Sequence, residues 1–211
     1  MKEKLLSIQN VVQIGMFGAL AAVLMLFEFP LPFLAPSFYE LDLSEIPVLI
    51  GTFSMGPVAG VLIELVKILV KLVLKGTSTA YVGDVANFVI GCCLLLPAGF
   101  IYKAKKSKKS AVIGMIVGTL VMAAAGAVIN AYILLPFYSQ FYGMPMEALI
   151  QAGTEVNSLI TNIPTFVIIA VVPFNLVKGF IVSLITTLVY KRVRVIINGY
   201  DSSRRPNHPA S

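Results

Sequence analysis

The chain has 211 residues, of which 58% are hydrophobic and 12% are charged, and its mean hydropathy is +0.91. Soluble domains are typically about 45–50% apolar, so this composition excludes an ordinary soluble protein. The net charge of +6 comes from Lys and Arg residues clustered between long uncharged runs, which favours a topology signal in a membrane protein over nucleic-acid binding.

The uncharged runs indicate the fold class. A helix needs about 20 mostly apolar residues to cross the hydrocarbon core, whereas a β-barrel would show alternating segments of about 10 residues. We therefore expect an all-α, polytopic membrane protein. The uncharged runs are Asn10–Phe27, Ile46–Ile63, Val85–Tyr102 and Ser110–Met146.

Prolines, glycines and capping residues divide the sequence into six predicted transmembrane helices, which form one domain over residues 1–194. Prolines exclude a regular helix from the segment 30–36, and Asp42 or Ser44 can cap the helix that follows. The polar residues 195–211 predict a disordered cytoplasmic tail. The predicted spans are approximately Asn10–Phe29, Ser44–Met55, Pro57–Leu74, Asp84–Tyr102, Ser110–Pro136 and Pro164–Arg192, with a kink at Pro173 and a short surface helix at Met146–Ser158.

Basic clusters predict the orientation in the membrane. Short loops rich in Lys and Arg stay cytoplasmic, which places the N-terminus and the clusters at 103–109 and 191–194 inside. No Lys or Arg occurs between Ser110 and Val177, so the segment around 139–155 faces outward. We therefore expect a multi-pass protein of the cell membrane with both termini in the cytoplasm.

Four polar residues fall at a similar depth in the membrane. With a helical rise of about 1.5 Å per residue, Lys178 lies roughly 20 Å above the inner face, Asn175 and Asn87 roughly 24 Å, and Asn130 roughly 30 Å. Polar groups in a membrane usually face a cavity or a partner, which predicts a pocket open to the outside. The amides could instead hydrogen-bond between helices, and Lys178 could extend to the membrane surface.

The third predicted helix carries Lys67, Lys71 and Lys75 on one face, with Glu64 three residues before the first of them. One interpretation is a polar seam that faces the interior of the bundle. The interpretation that we favour is a structural Glu64–Lys67 pair, with the two outer lysines extending to the membrane surface.

Other motifs narrow the function. No GxxxxGK[ST], HExxH or GxSxG motif occurs, and the only histidine is His208, so we expect no enzyme and no catalytic residue. The adjacent Cys92 and Cys93 point in different directions on a helix, so we expect neither a disulfide nor a metal site. If the chain transports a solute, the energy must come from a partner.

Three segments resemble the substrate-binding S components of energy-coupling factor (ECF) vitamin transporters, and most closely the riboflavin-specific members. They are "LDLSEIPVLIGTFSMGPVAGVLIELVK" (Leu41–Lys67), "GDVANFVIG" (Gly83–Gly91) and "VPFNLVKG" (Val172–Gly179). The resemblance implies a six-helix bundle that captures riboflavin at the outer face of a prokaryotic plasma membrane, without a cofactor. It also implies a transmembrane coupling subunit and two ATPase subunits as partners.

The resemblance also implies a binding site, with the loop near Tyr39–Leu41 as its lid. An asparagine amide both donates and accepts hydrogen bonds, and a lysine offers three donors, which suits the pyrimidine edge and ribityl chain of a flavin. Asn87 joins the site on its depth alone. The residues expected there are Asn175, Lys178, Asn130, Asn87, Tyr39, Leu41 and Phe174, with Phe33, Phe38 and Phe88 as further apolar walls.

Small residues in the first predicted helix mark a second surface. Gly15 and Ala19, and likewise Gly18 and Ala22, are four residues apart, a spacing that lets another helix approach closely. The resemblance implies that this surface contacts the coupling subunit. The family motif is usually two alanines four apart, and here glycine replaces the first alanine of each pair.

Two alternatives stay open. An S component for another vitamin, such as pantothenate or a pyridoxine-like compound, would have the same fold, although an anionic vitamin would favour an arginine or an unpaired lysine in the pocket. A membrane enzyme or a self-sufficient carrier would need a catalytic or ion-coupling set of residues, which we do not find in the sequence.

Overall fold

A computed structural model describes the backbone of residues 7–143 and 145–202, with side chains as far as residue 189. Within that part of the chain the secondary structure is helical, apart from two strands of two residues each. The elements are α1 Ile8–Met25, β1 Phe29–Pro30, β2 Glu40–Leu41, α2 Glu45–Met55, α3 Pro57–Lys75, α4 Val82–Ala104, α5 Lys108–Ile129, a first π-segment Asn130–Leu134, α6 Leu135–Phe141, α7 Met146–Val156, α8 Ile163–Phe166, a second π-segment Val167–Val171 and α9 Val172–Ser202.

The all-α class is confirmed, but the number of spans is not. α2 has only 11 residues, and α3 carries four charged side chains within 19 residues, so six spans and cytoplasmic termini remain predictions.

Helical backbone continues past the predicted boundary at residue 194 as far as Ser202, and residues 203–211 of the predicted tail lie outside the described residues. The described helical stretches that are long and apolar enough to cross a membrane are Ile8–Met25, Val82–Ala104, Lys108–Phe141 and Ile163–Val189.

The short helix α2 lies at the centre of the bundle. Its residues from Glu45 to Phe53 are all buried, and it packs against α1, α3, α4 and α9. A helix that is apolar on all sides is stable when other helices surround it, which explains why 11 residues without a polar face can form this element. The polar exception in its first turn is Glu45, which is 2% exposed.

Helices α4 and α5 approach each other closely over two glycines. A β-carbon on Gly114 would lie 2.8 Å from the carbonyl oxygen of Ala98, and one on Gly118 would lie 2.3 Å from that of Leu94. Glycines four residues apart let helix backbones meet in a membrane, where packing replaces the hydrophobic effect as the driving force. The close α4–α5 contact fixes the positions of the residues that these two helices contribute to the site.

We expect Gly118→Ala to destabilise the protein, because the new methyl group would meet the carbonyl oxygen of Leu94 in rigid helical backbone. Overpacking of this kind costs about 1–3 kcal/mol. Thermal unfolding of the detergent-solubilised protein measures the effect. Ile116→Ala, at a side chain that is 55% exposed, is the control and should change the unfolding temperature little. A parental unfolding temperature for Gly118→Ala would contradict the close approach.

Candidate ligand-binding site

A cavity of about 220 Å³ lies at one end of the bundle. The ends of α1, α3 and α5 and the starts of α2, α4 and α9 surround it, so six helices meet there. The basic connection between α4 and α5 lies at the opposite end of both helices. Six of the seven predicted binding residues line the cavity, namely Asn87, Asn130, Asn175, Lys178, Tyr39 and Phe174.

Leu41 is the predicted binding residue that lies elsewhere. It is 1% exposed, pairs with Phe29 in the two-stranded sheet and belongs to the apolar cluster behind the lid loop. Leu41 therefore supports the loop instead of lining the cavity. Among the other predicted walls, Phe38 lines the cavity, whereas Phe33 is 78% exposed and Phe88 is not a lining residue.

Asn130, at the start of the first π-segment, is held from two sides. Its Nδ2 donates to the carbonyl oxygen of Gly126 at 2.7 Å, and its Oδ1 accepts from the Tyr39 hydroxyl at 2.6 Å. Burial, together with the nearby Tyr138, raises the pKa of Tyr39 far above its ordinary value, so the hydroxyl stays a donor. This hydrogen bond ties the lid loop to α5.

Asn175 lies in the first turn of α9, directly after the second π-segment. Its Nδ2 donates to the carbonyl oxygen of Val171 at 2.9 Å. Pro173 lacks an N–H group and interrupts the helical hydrogen bonds. A kink was predicted at Pro173, and the structure has a π-segment directly before it. Such bulges often occur at functional sites because they change the direction of the side chains that follow.

Lys178 is 8% exposed, and its Nζ lies 2.7 Å from Oδ2 of Asp42. The other oxygen of Asp42 accepts the backbone N–H of Ser44 at 2.8 Å in an Asx turn, and α2 has no side-chain capping bond from its N-cap residue Ser44. Burial alone would raise the pKa of Asp42, but the ammonium groups of Lys178 and Lys67 and the two hydrogen bonds hold it well below its usual range. Lys178 therefore faces the cavity and holds the lid loop, and it does not extend to the membrane surface.

Lys67 is fully buried beside the cavity. Its Nζ lies 2.7 Å from Oε1 of Glu45 and 2.6 Å from Oε1 of Glu64, and it also donates to Oδ1 of Asn87 at 3.2 Å. The predicted Glu64–Lys67 pair is confirmed, with Glu45 as a second partner. Gly91 makes the cluster possible, since a β-carbon there would lie 2.3 Å from Oε1 of Glu64.

The interpretation that we favoured is confirmed for the Glu64–Lys67 pair, but it is wrong for Lys71, which does not extend outward. Lys71 is 9% exposed, and its Nζ lies 2.6 Å from Oδ1 of Asp84. Lys75 is half-exposed and pairs with Glu28, which follows α1. Lys67 and Lys71 therefore form the polar seam of the other interpretation, whereas Lys75 lies at its more exposed end.

Aromatic side chains join the lid loop to the last two helices. The ring centroids of Tyr39 and Phe174 are 5.6 Å apart, and the ring of Phe38 stacks on that of Phe166 at 6.4 Å. The antiparallel pairing of Phe29 with Leu41 joins the two ends of the lid loop. The cavity is thus walled by aromatic rings on its lid side and by amides and ion pairs on its helical side.

The small residues of α1 divide into two faces. Gly18 and Ala22 are buried, and a β-carbon on Gly18 would lie 2.4 Å from Cγ1 of Val66 in α3. This pair serves a contact within the chain and is not available to a partner, contrary to expectation. Ala19 is exposed, and a β-carbon on Gly15 would have open space within 4 Å among the described residues, so only this pair faces outward.

Comparisons with known proteins agree with this architecture. The family model of the ECF transporter, substrate-specific component, matches residues 9–190. The chain is 35% identical over 185 residues to the riboflavin transporter RibU of Staphylococcus aureus (strain TCH60), covering 88% of this chain and 90% of that protein. It is 29% identical over 190 residues to the riboflavin transporter FmnP of Bacillus subtilis (strain 168), covering 90% and 94%. A solved S component of a bacterial ECF transporter matches with a TM-score of 0.69 and 34% identity, covering 90% of this chain and 97% of that one.

Apolar helices around a polar cavity are features of a membrane transport component. The chain belongs to the family of ECF transporter substrate-specific components. This confirms the resemblance drawn from the three sequence segments.

We expect Asp42→Asn to destabilise the protein, because it leaves the buried ammonium of Lys178 without a counter-charge. Breaking a buried ion pair by removing one partner costs about 3–5 kcal/mol. Thermal unfolding in detergent measures the loss. The double variant Asp42→Asn/Lys178→Met removes the stranded charge and should recover much of it. If Asp42→Asn alone unfolds at the parental temperature, the pair does not stabilise the lid loop.

The same pair predicts a pH dependence. Since the pKa of Asp42 in the folded protein lies below its ordinary value of 3.8, its stabilising contribution is complete above that value and is lost as the pH falls below it. The parent should therefore lose stability more steeply than Asp42→Asn below about pH 4. Unfolding temperatures across the acidic range test this, and parallel curves would contradict it.

Proposed function

We propose that this protein captures riboflavin at the outer face of the cell membrane, as the substrate-binding component of an ATP-driven ECF importer. The observation that carries the proposal is the meeting of Asn130, Asn175 and Lys178 around one cavity, beside the rings of Tyr39 and Phe174. The similarity to two named riboflavin transporters over about nine-tenths of the chain supports riboflavin as the ligand.

The polar side chains suit the pyrimidine edge of a flavin, which alternates acceptors with a donor. An asparagine amide supplies both functions, and an ammonium supplies donors only. Each of these groups already has a partner within the protein, such as the Tyr39 hydroxyl on Asn130. When riboflavin binds, its hydrogen-bond donors and acceptors therefore replace some of these protein partners. The hydrogen bonds that are lost and gained have similar strength.

The lid loop moves when the ligand enters. Sites for drug-sized ligands measure about 300–1,000 Å³, whereas this cavity measures about 220 Å³. Withdrawal of Phe38 and Tyr39 would enlarge it and would free the face of Phe174. The flavin ring then takes over the aromatic contact that Tyr39 makes, in an offset or tilted arrangement.

Helices α1 to α5 and helix α9, six in total, cross the membrane, and both termini lie in the cytoplasm. The charged side chains of α3 are paired within the protein, which offsets the cost of placing them in a membrane. The central helix α2 is enclosed by its neighbours and needs little contact with lipid. The basic connection at 103–109 stays inside, so the cavity faces outward.

The transmembrane coupling subunit binds the outward face of α1. Gly15 and Ala19 form a narrow strip on this face, flanked by Val12 and Val23, which are 54% and 45% exposed. A strip of small residues allows close approach of a partner helix. Two ATPase subunits provide the hydrolysis that a chain without a phosphate-binding loop cannot perform.

Riboflavin titration of the detergent-purified protein tests the ligand. We expect saturable quenching of flavin fluorescence, and Asn175→Ala should weaken binding roughly ten- to a hundredfold, because it removes a buried hydrogen-bonding amide. Asn157→Ala, outside the cavity, is the matched control and should bind as the parent does. A parent that binds pantothenate or a pyridoxine-like compound but not riboflavin would overturn the assignment.

The coupling face has its own test. Gly15→Leu/Ala19→Leu should keep parental riboflavin affinity but lose both copurification with the coupling subunit and uptake into vesicles, because the added side chains block close approach. Leu20→Phe adds bulk at an exposed position on another side of α1 and should retain all three properties. Retained uptake in the double variant would show that the subunit binds elsewhere.

A further inference from the structure

Gly126, one turn before Asn130 on α5, contacts two of the amides at the site. Its carbonyl oxygen accepts Nδ2–H of Asn130 at 2.7 Å. A β-carbon built on Gly126 would lie 2.9 Å from Nδ2, 3.2 Å from Cγ and 3.4 Å from Oδ1 of Asn175. The side-chain amide of Asn175 therefore lies directly against the α-carbon of Gly126, in space that any larger residue would occupy.

We propose that Gly126 is a positioning residue that sets the relative placement of the Asn130 and Asn175 amides and thereby the affinity for riboflavin. The inference rests on the proposed function. The carbonyl group of Gly126 orients one amide, and the absence of a side chain lets the other approach from α9. One backbone position on α5 thus aligns hydrogen-bonding groups from two helices, each beside a π-segment.

A substitution at Gly126 has a different physical consequence from one at the other close-packed glycines of α5. At Gly114 and Gly118 a methyl group would meet carbonyl oxygens of α4, which move only if the two helices separate. At Gly126 it would meet the end of the Asn175 side chain, which can rotate away while the backbone stays in place. Alanine is also the better helix former, so Gly126→Ala displaces the amide without unfolding the protein.

The experiment compares Gly126→Ala with Gly118→Ala by riboflavin titration and by thermal unfolding without ligand. Gly126→Ala should bind roughly ten- to a hundredfold more weakly than the parent, since a displaced amide leaves hydrogen bonds to the ligand unmade. Its unfolding temperature should equal or exceed the parental one. Gly118→Ala, which forces α4 and α5 apart, should instead lower the unfolding temperature and weaken binding together.

The outcomes separate this inference from the proposed function. Parental affinity in Gly126→Ala would overturn the positioning role and leave riboflavin capture intact. A parent that does not bind riboflavin would overturn both. Loss of stability and affinity together in Gly126→Ala, if truncation of Asn175 as well does not restore the stability, would also overturn the positioning role.

A double variant tests whether Gly126 acts through Asn175. If it does, Gly126→Ala/Asn175→Ala should bind no more weakly than Asn175→Ala alone, because the group that the methyl displaces is already gone. Independent, additive losses would overturn the mechanism. If Gly126→Ala alone fails to fold, the double variant should fold, since the truncated side chain leaves room for the methyl group, and an unfolded double variant would overturn the proposed clash.

Discussion

Compensation of buried charge is the constraint on which the rest of this structure depends. An ammonium group in a low-dielectric interior costs several kcal/mol unless a carboxylate accompanies it. The lysines of α3 and Lys178 of α9 therefore determine which elements meet at the cavity, because their partners come from the α1–β1 connection, the lid loop, α2, α3 itself and α4. The pairs are Lys67 with Glu45 and Glu64, Lys71 with Asp84, Lys75 with Glu28, and Lys178 with Asp42.

The same pairs bear on the choice of ligand. Lys71 and Lys178, the lysines that line the cavity, are both bound to carboxylates. An anionic vitamin such as pantothenate would have to draw one of them from its partner and leave a buried carboxylate unpaired. A neutral polar ring needs only to replace the Tyr39 hydroxyl on Asn130, so the charge distribution favours riboflavin over pantothenate.

Sequence reasoning located the polar groups better than it located their partners. The rise of a helix is fixed whatever surrounds it, so depth alone was enough to bring Asn87, Asn130 and Asn175 together with Lys178. The Asp42–Lys178 pair joins residues 136 positions apart, and only packing shows that they meet. In α1, the pairs Gly15–Ala19 and Gly18–Ala22 have the same spacing, so only packing shows which of the two faces α3. The Gly114–Gly118 spacing on α5 is also a close-packing signal, but it was not among the predictions made from the sequence.

Both amides of the site lie at a π-segment, Asn130 at the start of the first and Asn175 shortly after the second. Backbone polar groups in a membrane must be satisfied within the protein, and a bulge disturbs the regular pairing of N–H and carbonyl groups. Asn130 donates to the carbonyl oxygen of Gly126, which also accepts a backbone N–H, and Asn175 donates to that of Val171, so each amide uses one donor on the backbone next to a bulge. Each amide keeps further donor or acceptor capacity for a ligand. A ligand without matching groups leaves that capacity buried and unmet, at a cost of about 1–3 kcal/mol for each group. This penalty selects for a ligand edge that both donates and accepts hydrogen bonds, as the edge of the proposed flavin does.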